Sequence, residues 1–155
     1  MLKLVSEHNI ILKTRTKEVK SIDEIEEYLP EMFEVMKASN GIGLSANQVG
    51  LNNRFFVSEI KGKKKVCINP KVLEEQNVMP GKEGCLSFPG INLTVRRSES
   101  VTVQYHDQNW NQITEGLTGL EARCFLHELD HLNGITFDTK VSKLALTSAK
   151  SKRKL

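Results

Sequence analysis

Aromatic residues are scarce: six Phe, two Tyr and one Trp amount to 6% of the 155 residues. That is thin for the stacking surface on which single-stranded nucleic acid is read. No apolar run approaches the ~18 residues of a spanning helix, which predicts a protein with no membrane partner. The opening stretch is broken by Lys3, Glu7 and His8, so it lacks the apolar segment of a secretory signal. Cysteine is sparse and odd in number: Cys67, Cys85 and Cys124. An odd set without a signal argues against a disulfide scaffold and for a reducing compartment. A thiol is then free to hold a metal. Acidic residues stop at Asp138. From Lys140 onward six basic residues meet no acid, while 16 basic residues stand against 19 acidic ones before it. The net charge of +3 therefore comes from the end of the chain, and the body is not a basic nucleic-acid surface.

What is present reads as one soluble globular domain, 39% apolar and 26% charged, long enough for a single core. The expected organisation is a domain over 1–139 and a short basic tail over 140–155. Apolar residues recur at helical steps over 21–39, after Ser21 and Glu24, which fit a capping box. Pro30 lies inside that pattern, so a kink is expected there, or a break with Pro30 in the first turn of a second helix. Residues 54–60 and 65–69 read as strands around a turn at Lys61-Gly62-Lys63. Residues 100–105 and 112–117 read as another strand pair. A second helix is expected from Thr118, capped with Glu121, to a stop at Asn133-Gly134. Strand runs bracketed by helices indicate an α+β fold, not alternating βαβ units.

The sharpest chemical signal is His127-Glu128-Leu129-Asp130-His131, an HExxH pattern. On a helix, residues four apart share one face, so the two imidazoles can grip one divalent metal. Glu128 lies about 100° around the helix, placed to take a proton from an attacking water. A catalytic tetrahedral site needs a third protein ligand and one open position. The HExxHxxGxxH solution fails, because Phe137 stands where its third histidine belongs. No glutamate follows Glu128. His8 and His106 remain open, and so does an upstream thiolate. Cys85, within Glu83-Gly84-Cys85-Leu86-Ser87-Phe88-Pro89-Gly90, sits among residues that shape backbone rather than core. Cys67 falls in an apolar strand, where packing explains it. The small residues of Gly41-Ile42-Gly43-Leu44-Ser45-Ala46-Asn47-Gln48 let backbone approach a ligand closely, with Gln48 as an amide donor. This stretch lacks the Lys-Ser/Thr of a phosphate loop.

In their order and spacing, GIGLSANQ, EGCLS and HELDH resemble the three motifs of the peptide deformylase family, over roughly residues 1–138. The resemblance implies antiparallel strands packed around a central helix that carries HExxH. It implies a metal-dependent hydrolase, residues 1–139 forming its catalytic domain. Such an enzyme removes the N-formyl group from the initiator methionine of nascent polypeptides and releases formate. Cys85, His127 and His131 would be the metal ligands, holding Fe²⁺, with Zn²⁺, Ni²⁺ or Co²⁺ as substitutes. Glu128 would be general base and acid, and Gln48 and the Leu86 amide would form the oxyanion hole. Gly43, Ile42, Leu120 and Cys124 are candidates for the methionine pocket. Asp130 is expected either to orient a histidine ligand or to pair with Arg97 behind the metal. Ser45 stands where the first motif usually has alanine, and Asn92 where many members carry arginine. The implied setting is a bacterial cytoplasm or a virus-infected bacterial host. The implied partners are formylmethionyl peptides met by a monomer, with the basic tail reaching the ribosome. The tail supplies no ligand, so chemistry on a short peptide should not need its end. The rival reading is an HExxH zinc peptidase of another family, which would use a third ligand other than Cys85.

Overall fold

The computed structural model describes residues 1–153; Lys154, counted above in the basic tail, lies outside them. Five strands form one antiparallel sheet in chain order: β1 (Gly43–Ser45), β2 (Phe55–Ile60), β3 (Lys63–Gly84), β4 (Asn92–His106) and β5 (Gln112–Thr118). The helices are α1 (Leu29–Ala38), α2 (Gly119–Leu132) and α3 (Lys143–Ser151). The α+β expectation holds. Among the described residues, no helix is long and apolar enough to cross a membrane.

The β2–β3 turn is tight, with Ile60 paired to Lys63. Lys61 and Gly62 both take positive φ, 54° and 75°, the backbone twist that two-residue hairpins favour. β3 runs far beyond the expected 65–69. Pro70 hides this continuation, because proline cannot donate to a ladder. The pairing with β4 shifts register between Ile68 and Lys71, a bulge that leaves Pro70 with no bond to make. β4 likewise starts at Asn92, well before the expected 100. There Leu93, Val95 and Arg97 point inward, so a charged residue interrupts the apolar alternation.

The 21–39 pattern breaks as its second alternative expected. Two 3₁₀ turns, Ile22–Glu24 and Glu26–Tyr28, precede α1, and Pro30 lies in its first turn. Neither expected capping box forms. Ser21 and Thr118 make no side-chain cap bond, and Glu24 instead accepts from the Lys20 amide at 3.0 Å. α2 does stop where expected, with Gly134 at φ 75°.

Three buried clusters fix the elements. Met32 and Met36 of α1 pack with Leu44, Phe55 and Ile68. Ala122, Phe125 and Leu132 of α2 pack with Phe56, Cys67 and Val103, including an edge-on contact of Phe56 with Phe125 at 5.2 Å between centroids. Phe88, Ile91, Leu93, Val95 and Phe137 form the third, with Leu146 and Ala149 of α3 against it. The segment read as a tail thus includes a helix, capped by Ser142 accepting from the Ala145 amide.

Candidate metal centre and active site

α2 buries the face that carries His127 and His131. β3 ends at Gly84, which delivers Cys85 beside that face. The chain then folds back, with the Phe88 amide donating to the Cys85 carbonyl at 3.0 Å. The ligand atoms of Cys85, His127 and His131 all lie within 4.8 Å of one another, and Cys85 Sγ is 3.2 Å from His131 Nε2. Neither His8 nor His106 joins this group among the described residues. Phe137 is buried, its ring 5.6 Å from that of His127, so it packs behind the histidine.

Behind His127 sits Glu83, whose role sequence reading missed. Its Oε1 lies 2.8 Å from His127 Nδ1 and accepts from Arg97 Nη2 at 3.0 Å. Its Oε2 accepts from Arg97 Nε and Arg123 Nη1, both at 2.6 Å. Burial pushes the Glu83 pKa up, but the bonds to His127 and Arg97 outweigh it and hold the carboxyl at about 2. A permanent anion at Nδ1 fixes the imidazole and leaves Nε2 for a cation. His127 is correspondingly raised to about 10: burial lowers it, while bonding to Cys85 and Glu83 raises it more. His131 is pushed well down by burial and by the nearby His127 charge. Asp130 takes the second of its two expected roles, accepting from Arg97 Nη1 at 2.7 Å.

Glu128 has the opposite surroundings. It is buried, and its Oε1 has no hydrogen-bond partner. Burial lifts its pKa to about 7 against the charges of His127 and Arg97. Its carboxylate lies against Gly43: a Cβ there would sit 2.7 Å from both Glu128 Oε2 and Cys124 Sγ. Only glycine admits that approach of α2 to β1.

Gln48 is held by its carbonyl end. Oε1 accepts from the Ser45 amide and hydroxyl, both at 2.9 Å. Nε2 then faces the site, donating to Ser87 Oγ at 2.9 Å and lying 3.7 Å from Cys85 Sγ. Ser45 and Gln48 form a true capping box on the 3₁₀ turn Ala46–Val49. The hydroxyl that departs from the usual alanine therefore has a partner.

A cavity of about 880 Å³ opens over these groups. Gln48, Cys85, Leu86, His127 and Glu128 line it. So do Ile42, Gly43, Leu120 and Cys124. Ile42 and Leu120 are 41% and 52% exposed, whereas Cys124 is 6% exposed, so the first two stand at the mouth and the thiol lies deep. Asp130 and Arg97 lie outside the lining, behind the histidines. The site thus combines a donor trio spaced to hold a cation, a buried carboxyl with one unpartnered oxygen and an oriented amide donor. That set suits hydrolysis of an amide through a tetrahedral oxyanion.

A family model described as polypeptide deformylase matches residues 1–146. A peptide deformylase of Finegoldia magna is 41% identical, covering 90% of this chain and 88% of that one. The crystal structure of a Synechococcus elongatus peptide deformylase in complex with actinonin superposes with a TM-score of 0.93 at 38% identity, over 98% of this chain and 85% of the other. That of Thermotoga maritima gives 0.88 at 35% identity, over 92% and 98%.

Proposed function

The chain belongs to the peptide deformylase family, and from that premise we propose a role for each residue of the site. The reaction removes the N-formyl group from the initiator methionine of nascent polypeptides and releases formate. In this reading α2 is the central helix of the fold, and Cys85, His127 and His131 hold one divalent ion. The donors fit such an ion: one thiolate and two imidazoles lie within 4.8 Å, with Glu83 fixing the far nitrogen of His127. Thiolate with imidazole suits Fe²⁺, and Zn²⁺, Ni²⁺ or Co²⁺ can substitute. When bound, the ion supplies Lewis acidity toward the formyl oxygen and acidifies the attacking water.

The remaining work belongs to side chains and backbone. Glu128, buried with one carboxylate oxygen unpartnered, takes the water proton and returns it to the leaving amine. Gln48 Nε2 and the Leu86 amide donate to the oxygen that becomes negative. Losing one such donor typically costs about 10²–10³ in rate. Gly43, Ile42, Leu120 and Cys124 hold the methionine side chain. Nascent chains are met in a bacterial cytoplasm, or in a virus-infected host, by a monomer. The basic end, including Lys143, Lys150 and Lys152, favours encounter with ribosomal RNA phosphate in a salt-dependent way.

The observation that carries the reading is the Cys85, His127 and His131 trio beside a buried, unpaired Glu128 oxygen. Protein purified without oxygen should release formate from formyl-Met-Ala-Ser. The Co²⁺-loaded protein should show a thiolate charge-transfer band that Cys85→Ala abolishes. A band that survives in Cys85→Ala removes Cys85 from the ligand set.

A further inference from the structure

We propose that Arg153, just past the end of α3, is a positioning residue for the peptide cleft: it fastens two walls of the cavity together and so sets peptide affinity rather than the rate of the chemical step. The proposal rests on the deformylase reading of that cavity.

Two stretches far apart in the chain line it, residues 4–8 and residues 86–92. Among the described residues, no hydrogen bond joins one stretch directly to the other. The first is anchored by the Val5 amide, which donates to the Gln48 carbonyl at 2.9 Å. Beyond that anchor the chain continues to Glu7 and His8 at the cavity edge.

Arg153 touches both stretches. Its Nη1 donates to Glu7 Oε1 at 2.6 Å, and the two side chains are only 12% and 17% exposed. Its methylenes lie over Gly90, where an added Cβ would come within 2.9 Å of Arg153 Cγ. Gly90 also has φ +77°, a backbone state that favours glycine. The absent side chain therefore serves both the turn and the passage of the arginine stem.

The helix that presents Arg153 is itself seated on the same loop. Leu146 and Ala149 pack against the cluster that contains Phe88 and Ile91, and both of these residues also line the cavity. α3 thus backs one wall, and Arg153, two residues beyond its end, reaches across to the other. An ion pair this sheltered from water is screened less than a surface pair. No ligand or proton carrier is contacted, so the chemical step should not depend on it.

The test is steady-state kinetics on formyl-Met-Ala-Ser, with wild type and variants carrying the same metal at full occupancy. Arg153→Ala should raise KM by roughly three- to tenfold, the scale expected for one partly buried pair, with kcat within about twofold. Arg153→Glu should raise KM further, because two carboxylates then face each other. Adding Glu7→Arg to Arg153→Glu should bring KM back toward wild type, which a role in packing alone would not produce. An unchanged KM in Arg153→Ala overturns the proposal, and so does a charge-exchanged pair no better than Arg153→Glu. Failure of the wild type to release formate would instead overturn the deformylase reading, so the two failures are distinct.

Discussion

Glu83 and Glu128 both stand beside His127, both are buried, and their surroundings drive them apart. Glu83 receives two guanidinium groups and lies 2.8 Å from an imidazole nitrogen, and its pKa falls to about 2. Glu128 keeps one oxygen with no partner, and its pKa rises to about 7. The residue type is the same, and the chemistry is set by what each carboxylate can bond to. One is a fixed anion bonded to the His127 ring. The other is a buried carboxyl whose proton affinity burial raises. Paired acids with divergent proton affinities mark the division between scaffold and reaction.

Removing the scaffold acid should have the largest effect on stability. Glu83→Ala leaves Arg97 with Asp130 alone, Arg123 with only the Val95 and Met79 carbonyls, and His127 Nδ1 without its carboxylate partner. Breaking a buried ionic cluster from one side costs about 3–5 kcal/mol, read as a lower urea midpoint, and metal content should fall with it. A variant that unfolds like wild type and keeps its metal would show that Glu83 orients nothing. The effect at the edge of the cluster should be much smaller. Asp130 is 17% exposed, while its partner Arg97 keeps both bonds to Glu83. Asp130→Asn should therefore cost about 1 kcal/mol or less. A loss as large as that of Glu83→Ala would move the centre of the cluster to Asp130.

The two regions also differ in how far they can be read from sequence. The histidine pair of α2 was legible because it depends only on helical period. Cys85 stood out by its glycine-rich setting, but His8 and His106 stayed open until the three motifs were taken together. Glu83 was invisible in its role, because its partners come from β4 and α2, at Arg97, Arg123 and His127. Local patterns misled where tertiary structure offered a different bond. Ser21 with Glu24 and Thr118 with Glu121 match a capping box and do not form one. Ser45 with Gln48 does form one, and it orients the amide donor at the site. The outer parts of β3 and β4 were missed because Pro70, Pro80 and Arg97 break the alternation, while backbone pairing carries the strands through.

The most direct measurement compares metal content with turnover in Glu128→Gln. The amide keeps the shape of the side chain but cannot accept the water proton. Proton transfer by a placed side chain contributes about 10²–10⁴ in rate. Metal per chain, measured by atomic emission, should equal that of wild type, while kcat on formyl-Met-Ala-Ser falls by roughly that factor. Metal loss in step with activity would make Glu128 a ligand, and undiminished kcat would remove it from the proton path.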